Sequence, residues 1–404
     1  MSDEGTSASV PHAGHRRMGE PDTQTAPASP EPARESDRQF PCPACGAILR
    51  FDPAEGDLVC DHCGHHEPFA GERPRPAPLP ELPFREGLDA ALPGAETEEV
   101  RLARCQGCGA EIVFDPTSHA TTCPYCASPV VADPGAVRRL RPQGVAPFAV
   151  TEAQASAAMQ DWLKGLWFAP SALRGQGGGG RELEGVYMPY WTFDAKTRTR
   201  YTGQRGTTYY VTEPVTVRDQ QGNMRTELRQ VPRIAWTPAS GQVARSFDDV
   251  LVLASRALPQ SHTEALLPWD LTALRPYRPE YLAGFRSEVY TETPDEGMGE
   301  ARAYMGAMIE RDVRFDIGGD QQQVGSVDTD VSDVTFKHVL LPVWSAAYRF
   351  GGRSYRFVIN GQTGKVEGER PWSWVKIALT FLALALLIGG GVWLMQTYGQ
   401  PAYY

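Results

Sequence analysis

The eight cysteines of this 404-residue chain fall into two quartets with the same spacing. Both quartets read C-x2-C-x14-C-x2-C, and in both a Cys-Gly-Ala segment is followed by Phe-Asp-Pro. The second quartet is therefore an internal repeat of the first. The two sets are Cys42, Cys45, Cys60 and Cys63, and Cys105, Cys108, Cys123 and Cys126.

This spacing is typical of a zinc ribbon, in which two C-x2-C turns direct four thiolates at one cation. Four soft sulfur ligands favour Zn²⁺ over hard cations, and a complete quartet leaves no open position for catalysis. We therefore expect two structural zinc ions, held by the eight cysteines. Disulfides and a redox C-x-x-C pair fit less well, because the same quartet occurs twice and neither a secretory signal nor a βαβ context accompanies it. His62, His65 and His66 are interpreted as surface residues.

The charge of the ribbons bears on their partners. The chain has a net charge of −10. The segment from Cys42 to Cys63 contains four acidic residues and one Arg, and the segment from Cys105 to Cys126 contains two acidic residues and no Lys or Arg. A ribbon that binds phosphate needs a basic face, so these ribbons favour protein contacts over nucleic acid.

A run of 19 uncharged, mostly apolar residues extends from Ile377 to Met395 near the C-terminus. As a helix it would span roughly 28 Å, about the thickness of the hydrocarbon layer of a bilayer. Trp372, Trp374 and Trp393 flank it as an aromatic belt would. Lysine and arginine precede the run and are absent after it, so the positive-inside rule predicts a single-pass protein of the cell membrane with its N-terminal bulk in the cytoplasm.

These features divide the chain into segments of different character. The fold class that we expect is multi-domain: two small β zinc ribbons, an α+β, β-rich domain, and one C-terminal transmembrane helix. The expected boundaries are a disordered tail over residues 1–40, ribbon 1 over 41–70, a Pro-rich linker over 71–99, ribbon 2 over 100–132, the α+β domain over 138–370 and the transmembrane helix over 375–396. Leu82, Phe84, Leu88 and Leu92 of the linker are expected to pack on a neighbouring ribbon or on nothing, with a short docking motif as the alternative.

The α+β domain begins with a helix, predicted from the capping box of Thr151 and Gln154 to extend towards Phe168. Strands are predicted over residues 185–202, 208–217 and 226–236, a second helix over 296–311, and two or three strands over 338–367. Met188-Pro189-Tyr190-Trp191 is echoed by Leu341-Pro342-Val343-Trp344. This echo indicates two related β units.

No catalytic motif accompanies the metal sites. Gly175, Gly177 and Gly180 match G-x-G-x-x-G but lack the preceding strand and the following helix, so a flexible loop is the better interpretation. Gly364-Lys365 is not part of a Walker A loop, because Ile359 stands where the first glycine is required and Val366 replaces the Ser or Thr. His262 and His338 are isolated in the sequence and are assigned surface or core roles. We expect no enzymatic activity.

The ribbons, with C-P-x-C-G-A and a second C-x-x-C, resemble zinc ribbons of the transcription factor IIB type. The phrases GVYMPYWTFDA (185–195) and LPVWSAAYRF with FVINGQTGKVEGERP (341–371) resemble a bacterial family of membrane-anchored double zinc-ribbon proteins, often labelled primosomal protein N'/replication factor Y helicase-like. The resemblance implies an adaptor acting with flotillin-like and phage-shock-type proteins in envelope stress.

The function expected from the sequence is therefore that of a non-enzymatic, membrane-anchored adaptor that recruits cytoplasmic proteins to the membrane. A nucleic-acid-binding protein related to the primosome is the alternative, and binding to DNA at physiological salt would favour it. An enzyme that uses the aromatic-rich surface of the β domain is a third hypothesis, which a deep pocket with convergent polar groups would support.

Overall fold

The structure is a computed structural model, and it describes residues 40–68, 79–85, 97–113, 120–126, 128–131, 136–170, 183–218, 222–258, 264–350, 353–370 and 372–398. The fold class is the expected one: two four-cysteine ribbons near the N-terminus, a large β-rich body and one C-terminal apolar helix. Several predictions fall on residues outside these ranges. They concern residues 1–39 of the predicted disordered tail, the glycine-rich loop, Leu88, Leu92 and His262.

The ribbons are built from short antiparallel strands. Ribbon 1 contains β1 (Arg50–Phe51), β2 (Leu58–Val59) and β3 (His66–Glu67), and β4 (Leu82–Pro83) follows it. Ribbon 2 contains β5 (Thr97–Arg104), β6 (Glu111–Val113), β7 (Ala120–Thr122) and β8 (Pro129–Val131). β9 (Ala136–Leu140) pairs with the first half of β5, so the second ribbon continues into the body through a shared strand.

The body combines long antiparallel strands with two packed helices. Its elements are β10 (Gly144–Val145), α1 (Glu152–Gly165), β11 (Glu184–Arg218), β12 (Met224–Leu253), β13 (Arg275–Pro276), β14 (Arg286–Ser287), α2 (Pro294–Ile317), β15 (Gln321–Phe350), β16 (Arg353–Asn360), β17 (Val366–Gly368) and α3 (Trp374–Tyr398). Short 3-10 helices occur at Leu271–Ala273 and Pro279–Leu282. The central strand order is β12-β11-β15-β10-β13.

The strand boundaries predicted from the sequence are too short. The two strands predicted over 185–202 and 208–217 form one strand, β11, of 35 residues, and β12 and β15 are each 30 residues long. The segment between the two predicted strands contains Gly203 and Gly206. A Cβ on Gly203 would collide with the carbonyl oxygen of Gln323, and one on Gly206 would lie 2.9 Å from side-chain atoms of Ile234 and Trp236. These glycines permit close packing within a continuous strand.

The helices follow their sequence signals closely. α1 begins at the predicted capping box, in which Thr151 and Gln154 exchange hydrogen bonds, and buries Ala155, Met159 and Leu163 at a spacing of four residues. α2 begins with a second capping box, formed by Thr293 and Glu296. It is longer than the predicted 296–311 because its apolar positions continue at helical spacing until Gly318 ends it with a positive φ.

The body consists of two units with matching hydrogen bonds. Unit 1 comprises β10, α1, β11 and β12, and unit 2 comprises β14, α2, β15 and β16. β10 pairs in parallel with β15 and β14 pairs in parallel with β11, so each unit supplies its first strand to the other. The indole of Trp191 donates to the carbonyl of Glu292, before the cap of α2, and the indole of Trp344 donates to Val150, before the cap of α1.

The backbone bonds around these tryptophans correspond in the same way. The N–H of Ala254 donates to the carbonyl of Pro189, and the carbonyl of Ala254 accepts from the segment before the cap of α2. In the same way, the N–H of Gly361 donates to the carbonyl of Pro342, and the carbonyl of Gly361 accepts from the segment before the cap of α1. The Met-Pro-Tyr-Trp and Leu-Pro-Val-Trp segments are adjacent in the sheet, with Met188 opposite Leu341. The two related β units that the sequence echo predicted are therefore present.

Part of the Pro-rich linker is a strand of the body. Leu82–Pro83 (β4) pairs with Thr335 and Phe336, and the ring of Phe84 packs edge-on against Phe193 and Phe336. The expectation that Leu82 and Phe84 pack on a ribbon or on nothing is wrong. Both pack against the apolar cluster that contains Phe193 and Phe336, and burial of apolar surface gives a physical reason for the docking.

The C-terminal helix α3 contains a segment, Trp374–Met395, that is long and apolar enough to cross a membrane, by length and composition. This segment has 22 residues and a mean hydropathy of 2.3, and none of its most apolar part is buried against the rest of the protein. Its start and end lie within two residues of the predicted helix over 375–396.

Candidate metal centres

Each predicted cysteine quartet is brought together in space. The sulfur atoms of each quartet all lie within 4.8 Å of one another. The closest pairs are Cys42–Cys63 at 3.6 Å, Cys45–Cys60 at 3.5 Å, Cys105–Cys126 at 3.5 Å and Cys108–Cys123 at 3.6 Å. Disulfide sulfurs are about 2.05 Å apart, whereas four ligands at about 2.3 Å from one zinc ion are roughly 3.8 Å apart. The distances fit zinc coordination.

The turns that carry the first cysteine of each C-x2-C pair are closed by backbone hydrogen bonds. In ribbon 1, the N–H of Gly46 donates to the carbonyl of Cys42. In ribbon 2, the N–H of Gly109 donates to Cys105 in the same way. Gly46 and Gly109 have φ values of 78° and 79°, a left-handed conformation that glycine adopts without strain. The glycine that follows the second cysteine is thus required by the turn.

The ionisation of the thiols shows why a quartet needs a cation. The backbone N–H groups of Cys63 and His62 stabilise the Cys60 thiolate and lower the pKa of this thiol to about 6. The backbone N–H of His65 also favours the Cys63 thiolate, but the nearby sulfurs of Cys45, Cys60 and Cys42 raise the pKa of Cys63 to about 12. Four adjacent thiolates repel one another, and a divalent cation removes this repulsion.

The chain therefore has two structural zinc sites, one in each ribbon. The donor set of each site is complete with sulfur alone, and within the described residues no histidine joins either cluster. His62 and His66 are exposed, and the ring of His65 lies 3.1 Å from the carboxylate of Glu67. These positions agree with the surface roles assigned from the sequence.

The two sites differ in their exposure to solvent. In ribbon 1, Cys45 and Cys63 are exposed. In ribbon 2, three of the four cysteines are buried and Cys108 is half-buried. Chelators and oxidants therefore reach the first site more easily than the second.

Both ribbons pack into the body, which the sequence did not indicate. In ribbon 1, the N–H of Phe51 donates to the carbonyl of Ala283, and the ring of Phe51 packs edge-on against Tyr281 with 5.5 Å between centroids. Two ligands of this site, Cys42 and Cys60, belong to the same apolar cluster as residues of α1, β11 and β16. The zinc site is thus part of an apolar cluster to which both units contribute.

Ribbon 2 is attached to unit 2 through backbone and side-chain bonds. Ile112 forms an isolated β-bridge with Glu288, and the N–H of Val289 donates to the carbonyl of Glu111. The hydroxyl of Ser345 donates to the carbonyl of Pro124, between the last two cysteines of the quartet. Loss of the second zinc ion would therefore disturb the body directly.

Glu288 is a buried residue at this junction that the sequence analysis missed. Its carboxylate accepts hydrogen bonds from the hydroxyls of Tyr125, at 2.7 Å, and Ser255, at 2.5 Å. Burial raises the pKa of Glu288 to about 7, although both hydroxyl donors lower it. Glu288 donates its N–H to β11, and Ala146 donates its N–H to β15. The buried Ala146 is therefore the residue of unit 1 that corresponds to Glu288. A single Glu in a segment of mixed polar and apolar residues gives no sequence signal of this contact.

His338 has the core role that the sequence suggested. It is buried between the rings of Trp191 and Tyr290, with centroids 4.9 Å and 5.5 Å away. Burial lowers the pKa of its imidazole to about 4, and Nδ1 lies 3.1 Å from the carbonyl oxygen of Leu140. The neutral ring thus donates to this carbonyl and fixes the segment that enters β10.

Comparisons with known proteins support the ribbon assignment. Residues 36–67 match the model of the zinc finger of RNA-polymerase I-specific TFIIB, Rrn7. The chain is 26% identical over 366 residues to uncharacterized protein YdjG of Bacillus subtilis (strain 168), a match that covers 87% of this chain and 98% of the relative. No solved structure matches the chain.

Proposed function

We propose that this protein is a non-enzymatic, membrane-anchored adaptor whose zinc-stabilised body recruits other proteins to the membrane surface. The observation that carries the proposal is α3, an apolar helix that is long enough to span a membrane and is exposed along its apolar part. Both ribbons, in contrast, are packed against the body. In this proposal the ribbons stabilise the body, and the partners bind to surfaces of the body. The bulk of the protein lies in the cytoplasm, where cysteines remain reduced.

The junction between α3 and the body supports an orientation at the bilayer. The ammonium of Lys376 donates to the carbonyls of Trp167 and Ala169, and the N–H of Ser373 donates to Phe168. Trp167 is exposed next to this junction, as is Trp374 at the start of α3. Tryptophan favours the interface between lipid and water, so these residues would hold the body close to the headgroups.

A projecting arm offers the surface for a partner. Within the described part of the chain, β11 beyond Gly206 pairs only with β12, because β15 begins at Gln321 opposite Gly206. Residues 207–218 and 224–235 thus form a two-stranded hairpin of roughly 40 Å, at about 3.3 Å per residue. The three-stranded part of the sheet supports its base.

The two faces of the arm differ in charge. One face contains the ion pair of Arg233 and Glu213, whose closest atoms are 2.7 Å apart. The other face contains Tyr210, Leu228 and Met224, which are 65%, 71% and 71% exposed, and Arg218 is its single charged residue. Exposed apolar side chains in such a stripe are typical of protein interaction surfaces. The resemblance of the sequence adds flotillin-like or phage-shock-type proteins as the proposed partners.

Site-specific crosslinking tests this proposal. A photoreactive amino acid is placed at Tyr210 in the full chain, and crosslinked products are recovered from membranes under denaturing conditions. We expect one or a few defined protein adducts at Tyr210, and none when the same amino acid replaces Ile48, an exposed residue of ribbon 1. Crosslinks to nucleic acid, or the same products from Ile48, would contradict the adaptor.

A further inference from the structure

A cavity of about 590 Å³ lies where the end of β12 meets α2 and the segment before Leu271. Leu251 and Leu253 of β12 line it, and Tyr304 of α2 and Trp269 contribute aromatic rings. Its size lies within the roughly 300–1,000 Å³ of small-ligand sites. Among the residues that the structure describes, none that lines it is a zinc ligand, although Tyr190 and Trp269 belong to the same apolar cluster as Cys105, Cys123 and Cys126 of ribbon 2.

The aromatic residues form two sides of this cavity. Tyr190 and Trp269 pack edge to face, with 6.2 Å between their ring centroids, and Tyr304 is exposed from α2. Rings arranged around a cavity attract a cation to their faces because the ring quadrupole is negative there.

The charged residues of the cavity are all acidic. Glu264 and Glu300 line it, and none of the described residues that line it is basic. Burial raises the pKa of Glu300, and so do the neighbouring charges of Glu292 and Glu264. The two carboxylates of the lining therefore repel each other, and a bound cation would relieve this repulsion.

Two buried polar atoms of the lining residues have no hydrogen-bond partner among the described residues. They are the hydroxyl of Tyr190, a residue 3% exposed, and the indole Nε1 of Trp269, a residue 9% exposed. Buried polar groups normally have partners, so an unsatisfied one calls for an explanation such as a bound ligand, ion or water. This observation is independent of the acidic pair. The Tyr190 hydroxyl can accept a hydrogen bond from a cationic donor, whereas the indole N–H of Trp269 needs an acceptor such as a backbone carbonyl of the bound segment.

We propose that this cavity binds an organic cation, the guanidinium or ammonium of a basic side chain on a partner protein. The aromatic rings would contact the cation and its alkyl chain, and Glu264 and Glu300 would supply the counter-charge. The proposal rests on the adaptor function and adds the chemistry of one contact: a basic residue of the partner inserts beside the free edge of β12. A partner segment with an exposed arginine fits this description best, because the planar guanidinium stacks on aromatic rings.

The test uses the full chain in detergent, labelled with 5-fluorotryptophan, and the peptide acetyl-Gly-Arg-Gly-amide. The resonance of Trp269 is assigned by its absence in Trp269→Phe. We expect the peptide to shift this resonance in a saturable way, and the Glu264→Gln/Glu300→Gln double variant to weaken binding by about tenfold or more. Both carboxylates are on exposed residues, so the double variant should fold, which its zinc content checks.

Glu310→Gln is the matched control, because Glu310 is an exposed residue of the same helix, pairs with Arg314 and is absent from the cavity lining. It should bind the peptide as the wild type does. An equal shift by acetyl-Gly-Glu-Gly-amide, no shift by the arginine peptide, or unchanged binding by the double variant would overturn the proposal. The crosslinks at Tyr210 do not depend on this cavity, so a negative result here leaves the adaptor function to be judged by its own experiment.

Discussion

At the scale of single residues, the junction between ribbon 2 and the body depends on a carboxyl group that is protonated near neutral pH. Glu288 accepts from Tyr125 and Ser255 while buried beside the ribbon. Its pKa is about 7 in the folded protein and near 4.5 in the unfolded chain. Between these values the folded state keeps a proton that the unfolded state has lost.

Stability should therefore fall as the pH rises from about 4.5 to about 7 and level off above that, with Glu288 contributing about 3 kcal/mol to the change. Glu288→Gln, which mimics the protonated form, should remove this part of the dependence. Denaturant unfolding of the two proteins between pH 5.5 and pH 8 measures the difference. If the free energy of unfolding changed with pH equally in the wild type and the variant, Glu288 would titrate in the folded protein much as it does in the unfolded chain.

The cysteine ligands give a second prediction at this scale. Cys60→Ser should lower the zinc content from two ions to one per chain, because a site with three thiolates binds zinc far more weakly. In the wild type, a chelator should release one zinc ion quickly and one slowly, since Cys45 and Cys63 are exposed and ribbon 2 is mostly buried. A metal-sensitive dye follows the release. Unchanged zinc content in Cys60→Ser would contradict the assignment of ribbon 1.

At the scale of elements, the two tryptophan–cap contacts hold each long strand against the helix of the other unit. Trp191 and Trp344 are buried and donate to carbonyls that precede the helix caps. Removing either donor leaves a partly buried carbonyl without this hydrogen bond and a cavity where the larger ring was.

Trp191→Phe and Trp344→Phe should each lower the free energy of unfolding by about 2–4 kcal/mol. Trp167→Phe, at an exposed site, should change it by less than about 0.5 kcal/mol. Denaturant titration of the three variants measures these effects. A large loss in one unit with none in the other would show that the two contacts do not play equivalent roles.

The same elements show how far the sequence predicts this fold. The capping box of Thr151 and Gln154 located the start of α1, because its members are neighbours in the sequence. The equivalent box of Thr293 and Glu296 was not recognised, and the start of the second helix was predicted two residues late. The continuity of β11 was not predictable, because the glycines at 203 and 206 look like a break until β12 and β15 are beside them. The quartets could be predicted in full from spacing, whereas Glu288 and the docking of Phe51 depend on contacts between residues far apart in the chain.

At the scale of the whole molecule, the ribbons, the linker strand and the two units form one packed body that ends in an apolar helix. Zinc stabilises the ribbons, and the ribbons complete apolar clusters of the body. The functional surfaces proposed for this body, the arm and the acidic aromatic cavity, both involve β12. A partner held at these surfaces would be kept at the membrane only if α3 is an anchor.

Membrane fractionation of the full chain and of a chain that ends at Ser373 tests this central claim most directly. The account predicts that the full chain remains in the membrane pellet after an alkaline carbonate wash, as an integral protein does. The shortened chain should be soluble and should still contain two zinc ions, because both ribbons and their contacts with the body are intact. A full chain released by the wash, or a shortened chain that stays in the pellet, would contradict the anchor and with it the proposed adaptor.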